Sequence, residues 1–418
     1  MTQRERALLI GVNINNKANF EGSMEELKNL AKACDFEAVG MMTQNLKAIN
    51  SAHYIGSGKI KEVISMLKAQ KAEVLVFNNE LSHTQLRNLE KEFSCRIIDR
   101  TALILEIFAK RARTREAKLQ VEVARLQYML PRLVGSNESL GRQSGGVGTK
   151  NRGAGETKLE LDRRKLERKI VELNKGLELI TGERQIQRRQ REKADLPTVA
   201  LVGYTNAGKS TLMNAMVEIY KKSESKKVFE KDMLFATLET SVRSITLPNR
   251  KAFLLADTVG FVSNLPHNLI KAFRGTLEEV READLLLNVV DISNPDYREQ
   301  IEVTCETLKQ IGADSIPIIN VFNKADLTDL NIPVIERDSA YISAREKTGV
   351  RELAEMIGDK VASKFIRCRM LIPFDMGSIV AYLNENAHIQ ATQYETGGIL
   401  LTLECKEADY KRHEKFIV

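Results

Sequence analysis

One segment limits what this chain can fold into more than any other. Val199-Ala-Leu-Val-Gly203-Tyr-Thr-Asn-Ala-Gly208-Lys209-Ser210-Thr211 is an apolar run, then Gly-x4-Gly-Lys-Ser, then a helix-forming stretch. In a strand–loop–helix unit, successive backbone N–H groups of such a loop form a concave anion site. The helix that follows adds the positive end of its dipole. A lysine placed like Lys209 reaches the β- and γ-phosphates of a nucleotide, and a hydroxyl placed like Ser210 binds Mg2+. The spacing therefore predicts a phosphate-binding loop within an α/β fold. Gly203, Tyr204, Thr205, Asn206, Ala207, Gly208, Lys209, Ser210 and Thr211 are its candidate nucleotide contacts.

The rest of a nucleotide site follows in order. Phe235-Ala236-Thr237-Leu238-Glu239 lies downstream, and Thr237 is the natural switch threonine for Mg2+ and the γ-phosphate. Asp257-Thr258-Val259-Gly260 follows the apolar run Ala252–Ala256. An aspartate at a strand end can hold Mg2+ through water, and the Gly260 N–H can sense the γ-phosphate. The expected metal ligands are thus Ser210, Thr237 and Asp257. Asn323-Lys324-Ala325-Asp326 follows a third apolar run. Its Asp326 can accept two hydrogen bonds from the N1–H and 2-amino group of guanine. Adenine lacks that donor pair, so the element selects GTP over ATP. Ser343-Ala344-Arg345 is the expected loop supporting the base.

Lys209, Thr237, Gly260 and Asn206 are the residues expected to act in hydrolysis. The position after Gly260, where many GTPases carry a glutamine that orients water, is Phe261. Phenylalanine neither donates nor accepts, so slow intrinsic hydrolysis and a partner that completes the site are expected. Asn206 is either a simple turn residue or a ligand for a monovalent cation, K+, in place of an arginine finger.

At 418 residues the chain is long enough for about three domains. Residues 1–108 alternate buried-strand runs (Ala7–Val12, Ala38–Met42, Val74–Phe77, Arg96–Ile98) with helical stretches, as a small parallel α/β domain does. Residues 109–195 carry heptad-like seams. Leu119, Val123, Leu126 and Leu130 form one; Leu159, Leu166, Ile170, Leu173, Leu177 and Ile180 form the other. They predict a long antiparallel helical hairpin, its second helix running from about Lys158 to Arg191. Its tip loop spans residues 135–157. Residues 196–366 form the nucleotide domain, and residues 367–418 a small α+β domain. Ile55-Gly-Ser-Gly-Lys59 lacks the upstream glycine and the hydroxyl of a phosphate loop; it reads as a turn that starts a helix, with anion binding at that helix start the alternative.

Charge is unevenly placed. Residues 110–195 hold 22 Lys and Arg against 12 Asp and Glu, a balance of +10, while the chain as a whole is +7. Clustered positive charge is the usual footprint of a phosphate-backbone partner. The tip holds six glycines from Gly141 to Gly155, together with Arg142, Lys150 and Arg152. Such a loop cannot pack a core of its own; it is either a passive connector or a tip that orders against RNA phosphates. Arg163 and Arg164 on the following helix belong to the same basic surface. Five scattered cysteines with no CxxC pair speak against a disulfide scaffold or a zinc site and for a reducing compartment. No apolar run reaches membrane-spanning length, and the first residues lack a signal-peptide core.

The combined pattern resembles the HflX family of ribosome-associated GTPases. The resemblance rests on Tyr54-Ile-Gly-Ser-Gly-Lys59, Gly145-Gly-Val-Gly148 with Arg152-Gly-Ala-Gly-Glu156, Leu159-Glu-Leu-Asp-Arg-Arg164, and Asp257-Thr-Val-Gly-Phe261. It implies a P-loop GTPase domain preceded by an α/β domain and a hairpin, with a small C-terminal domain. It also implies Mg2+-dependent GTP hydrolysis to GDP, stimulated by the ribosome. Implied partners are the large (50S) subunit, the 70S ribosome and 23S rRNA, with the hairpin loop near the peptidyl-transferase centre. Implied activity is the splitting of stalled or idle ribosomes under heat stress or antibiotic challenge. ATP at the N-terminal domain, a monomeric state and a cytoplasmic location, with peripheral membrane association left open, complete the expectations. Two other readings fit the residues: a nucleotide switch that docks on the large subunit in assembly or hibernation, and a hairpin that binds a partner protein.

Overall fold

The computed structural model describes residues 4–15, 19–134, 152–193, 196–220, 234–235, 240–263, 269, 274–361 and 365–418. The chain forms two compact units. The first comprises Met1–Gln190, Lys231–Glu239 and Val259–Glu278; the second comprises Arg191–Glu230, Thr240–Thr258 and Glu279–Val418.

In the first unit, β1 (Arg6–Ile14), α1 (Phe20–Ala33), β2 (Glu37–Leu46), α2 (Ser57–Gln70), β3 (Val74–Phe77), α3 (His83–Phe93), β4 (Arg96–Ile98) and α4 (Arg100–Arg111) follow in order. The strands form one parallel sheet in the order β2-β1-β3-β4. Its central strands are apolar because helices cover both faces of a parallel sheet; Leu8, Leu9, Leu75, Val76 and Phe77 have no exposed surface. Helix starts are set by side chains. Ser82 and Gln85 form a capping box on α3, and the Asp99 carboxylate caps α4 through the Ala102 N–H. At Tyr54–Lys59 the chain turns with Tyr54 at φ +66°, α2 begins at Ser57, and Lys59 pairs with Glu62. The segment is a helix-starting turn.

Two helices continue the unit, α5 (Arg115–Val134) and α6 (Arg152–Lys193). On α5, Ala117, Val121, Val123, Ala124 and Leu126 are buried. On α6 the seam residues Leu166, Ile170, Leu173, Leu177 and Ile180 are half-buried, whereas Leu161, Val171 and Leu179 are exposed. A Cβ built on Gly176 would lie 3.5 Å from Leu119 of α5. Sequence spacing placed the start of this helix near Lys158, but α6 begins at Arg152. It passes through Gly153 and Gly155, because a helix once nucleated gains a hydrogen bond per added residue, enough to carry two poor helix formers.

A buried carboxylate joins α5 to the sheet domain. Asp99 has no exposed surface and accepts from Leu81 N–H (3.2 Å), Ala102 N–H (2.8 Å), Tyr128 Oη (2.8 Å) and Arg132 Nη2 (3.0 Å). Burial and the Asp99 charge raise the Tyr128 hydroxyl pKa, so it stays protonated and donates.

The second unit holds β5 (Thr198–Val202), α7 (Lys209–Tyr220), β6 (Ser241–Thr246), β7 (Ala252–Asp257), β8 (Leu285–Asp291), α9 (Tyr297–Ile311), β9 (Ile318–Asn323), β10 (Val334–Ile335), β11 (Ser339–Tyr341) and α10 (Val350–Val361). The helix α8 (Arg274–Arg281) precedes β8 in sequence. The sheet order is β10-β11-β9-β8-β5-β7-β6. Its inner strands are parallel, and the two edge strands β6 and β10 run antiparallel. Parallel strands β5, β7, β8 and β9 end toward one edge of the sheet, where loops of a doubly wound fold meet a ligand.

The same unit ends in β12 (Phe365–Ile372), α11 (Gly377–Asn386), β13 (His388–Glu395), β14 (Gly398–Lys406) and α12 (Glu407–Arg412), with the antiparallel sheet β12-β14-β13. Lys251 joins this domain to the larger sheet by pairing with Asp359 at 2.9 Å and Glu404 at 3.6 Å. His413 is buried beside Tyr382 and Phe416, and burial lowers its pKa from the usual 6.5. A histidine held neutral in the fold contributes stability above its unfolded value, and that contribution is lost as pH falls below about 6.5. Circular-dichroism melts between pH 7.5 and 5 should show a steeper loss of midpoint for the native chain than for His413→Phe.

Candidate functional site

The phosphate loop is built where β5 meets α7. Gly203 has φ +130°, and a Cβ there would lie 2.3 Å from the Val289 carbonyl oxygen, so only glycine lets the loop pass β8. Gly208 has φ +96°, and its Cβ would lie 2.2 Å from Asn323 Nδ2. Between them Asn206 is left-handed, at φ +63°, with an exposed side chain. Thr205 and Ala207 are buried, and α7 starts at Lys209.

Lys209 is only 7% exposed, and its Nζ donates to the carbonyls of Gly203 (3.0 Å) and Tyr204 (2.7 Å). Burial pushes its pKa down to about 8, opposed by the Asp257 charge. The ammonium is thus held curled over the loop whose N–H groups would face an anion. Asp257, at the end of β7, is fully buried, and Ser210 Oγ donates to its Oδ2 at 2.6 Å. A hydroxyl and a carboxylate brought this close are two hard oxygen donors, the set that Mg2+ prefers. The residues present fit that ion. Thr258 Oγ1 donates to the Leu201 carbonyl and ties the end of β7 to β5.

The elements expected beside the base meet at Asn323. Its Nδ2 donates to the Ala207 carbonyl (2.9 Å), and its Oδ1 accepts from Ala344 N–H (2.9 Å). One buried amide therefore links the phosphate loop, Asn323–Asp326 and Ser343–Ala344. Lys324 has φ +60°, and Asp326 and Arg345 are exposed. Ser343 has no exposed surface and accepts from Glu346 N–H at 3.1 Å.

Other expected residues fall elsewhere. Ala236, Thr237, Leu238 and Glu239 lie outside the described residues, as do Arg142 and Lys150; the Arg152 side chain is likewise not described. Arg163 and Arg164 stand on α6 in exposed i,i+4 pairs with Glu167 (2.9 Å) and Glu160 (3.0 Å). Pairs of this kind are weak, and a phosphate can displace them.

Two contacts within the first unit were not foreseen. The Phe235 ring meets Phe108 of α4 edge-on, with centroids 4.7 Å apart. The buried Arg100 guanidinium donates to Asn78 Oδ1 (2.7 Å) and the Ser263 carbonyl (3.0 Å), and pairs with Glu26. Phe235, before Thr237, and Ser263, after Gly260, thus belong to the same body as the N-terminal sheet. Phe261 and Val262 between these points are buried. Only an arginine at the head of an apolar helix, Asp99-Arg100-Thr101, hinted at a buried charge.

Comparison with known proteins places this geometry. Residues 21–109 match a family model described as GTP-binding GTPase N-terminal, residues 111–191 one described as GTP-binding GTPase Middle Region, and residues 198–324 one described as 50S ribosome-binding GTPase. A GTPase HflX of Caldanaerobacter subterraneus subsp. tengcongensis is 42% identical over 415 residues, spanning 99% of this chain and 94% of that protein. The chain belongs to the HflX family. The GTPase HflX of Escherichia coli is 38% identical over 415 residues, spanning 98% of this chain and 95% of that protein. That of Alkalihalophilus pseudofirmus is 42% identical over 393 residues, spanning 94% and 91%. As a member of the HflX family the chain is a P-loop GTPase that hydrolyses GTP. Among the described residues no helix is long and apolar enough to cross a membrane, and no group of three His, Cys, Asp or Glu is gathered as a metal site.

Proposed function

We propose that this GTPase docks on the large ribosomal subunit through its basic hairpin and, in the GTP state, splits stalled or idle ribosomes. The observation that carries the reading is the union in one chain of a nucleotide domain matching a 50S ribosome-binding GTPase with a hairpin segment of charge +10. The four segments 1–108, 109–195, 196–366 and 367–418 act as N-terminal domain, hairpin, GTPase domain and C-terminal domain. Arg142, Lys150, Arg152, Arg163 and Arg164 meet rRNA phosphates.

In this reading Gly203–Thr211 cradles the phosphates, Lys209 Nζ leaves the loop carbonyls for the β- and γ-oxygens, and Asp326 reads guanine. Ser343, Ala344 and Arg345 back the base. Ser210 and Asp257, with Thr237, hold Mg2+, which neutralises charge on the β- and γ-phosphates. Thr237 and the Gly260 N–H respond to the γ-phosphate, and their release on hydrolysis frees the factor from the ribosome. With Phe261 buried where a water-orienting glutamine would stand, the large partner completes the hydrolytic site. Asn206 is left-handed and exposed; in this reading it ligates K+. Work on ribosomes puts the protein in the cytoplasm.

Sedimentation of 70S ribosomes with the purified protein tests this. GTP and a non-hydrolysable analogue should both convert 70S to subunits, the analogue leaving the factor on the large subunit. Docking without conversion would favour an assembly or hibernation role. An analogue that abolished conversion would contradict the order of events. GTP turnover should rise many-fold with large subunits, and more in K+ than in Na+.

A further inference from the structure

The strand β8 ends in Asp291, directly across the sheet from Asn323 at the end of β9. Its carboxylate is held at both oxygens. Oδ1 accepts from Ser293 N–H (3.1 Å) and Ser293 Oγ (2.6 Å) in a turn that closes on itself. Oδ2 accepts from Lys324 Nζ at 2.6 Å. The Ile292 N–H donates to the Asn323 carbonyl at 3.1 Å, so the turn bearing Asp291 and the turn bearing Lys324 are fastened by backbone as well. The two side chains are 16% and 27% exposed, sheltered enough for the pair to be held in one geometry.

Lys324 and Asp326 leave the same short turn. If Asp326 meets the guanine edge, as in the function proposed above on which this inference rests, the methylenes of Lys324 are the apolar surface beside the ring face. A lysine stem lies along an apolar surface only when its ammonium has somewhere polar to go. Free lysine side chains also lose much rotamer freedom when they are fixed on binding. We propose that Asp291 is a positioning residue for the nucleotide: it anchors the Lys324 ammonium and so presets the stem against the purine face. Ser293 fixes the carboxylate for that task. Asp291 touches no nucleotide itself; its effect passes through Lys324.

The stem reads a flat ring and not the 2-amino group. Loss of Asp291 should therefore weaken GDP and IDP equally, whereas loss of Asp326 should weaken GDP more than IDP, which lacks the 2-amino donor. The experiment is equilibrium binding of fluorescent GDP and IDP to the full-length protein carrying Asp291→Asn, Lys324→Ala, both together, or Asp326→Asn. Asp291→Asn is expected to raise Kd about ten- to hundredfold for both nucleotides, the scale of a lost charge-assisted hydrogen bond. In the Lys324→Ala background the same change should alter Kd less than about twofold, because coupled neighbours do not add. A Kd for Asp291→Asn within twofold of the native chain, or effects that multiply in the double variant, would overturn the proposal. If Asp326→Asn leaves GDP binding intact, the guanine reading itself falls; if Asp326→Asn weakens GDP and Asp291→Asn does not, only the positioning role falls.

Discussion

Replacing Lys209 by alanine is expected to lower kcat/KM for GTP by about 10²–10³-fold, the range for removing one preorganised charge stabiliser from a reacting site. The ammonium is buried, pointed back at the Gly203 and Tyr204 carbonyls, and depressed to about 8 by burial. In the proposed function an incoming triphosphate replaces the two carbonyls as the partner of this buried cation. Removing the side chain costs the bound phosphates that partner at every stage of the transfer. Lys209→Arg should rescue little, because a planar guanidinium does not fit the narrow space between two carbonyls of one turn. Phosphate release under single-turnover conditions measures the effect, and unchanged circular dichroism shows that the fold survives. A loss below tenfold would remove Lys209 from the reacting site.

Asp99→Ala should cost about 3–5 kcal/mol of stability in the first unit, because it strips the partner from a buried charge. Arg132 keeps hydrogen bonds to the Leu81 and Tyr128 carbonyls and its stacking on the Tyr128 ring, but its charge is left uncompensated. The Leu81 and Ala102 N–H groups and the Tyr128 hydroxyl also lose their acceptor. Asp99→Asn should cost less, about 1–3 kcal/mol, since the amide oxygen still caps α4. Urea denaturation followed by circular dichroism gives both values. The order Ala worse than Asn is the informative result; equal losses would mean that the carboxylate charge facing Arg132 dominates over the α4 cap.

The strand–loop–helix at Gly203–Thr211 and the turn at Asn323–Asp326 were legible because each is a local motif set by a few neighbouring residues. The same holds for the parallel strands β1, β3, β5 and β8, whose continuous apolar runs have no other use in a chain of this polarity. The strand β6 was not legible. Ser241-Val-Arg-Ser-Ile-Thr246 sits at a sheet edge with only Ile245 buried, so its pattern is that of a loop. The helix α4 is hard to read for the opposite reason. Leu103, Ile104, Leu105, Ile107 and Phe108 are all buried, which erases the one-sided stripe that marks a surface helix. Its Asp99 cap was the readable signal. Arg100 with Ser263 joins residues 163 positions apart, and Lys324 with Asp291 joins residues 33 apart. Nothing in local sequence encodes pairings made only when distant strands come together.

The chain passes between the two units at residues 190/191, 230/231, 239/240, 258/259 and 278/279. Such interleaving makes each unit a non-contiguous stretch of polypeptide, so no single cut releases either one whole. Melting of one unit must slacken chain ends that the other needs in place, and the two should lose structure together. Calorimetry should then record one endotherm where a string of independently folded beads would give two.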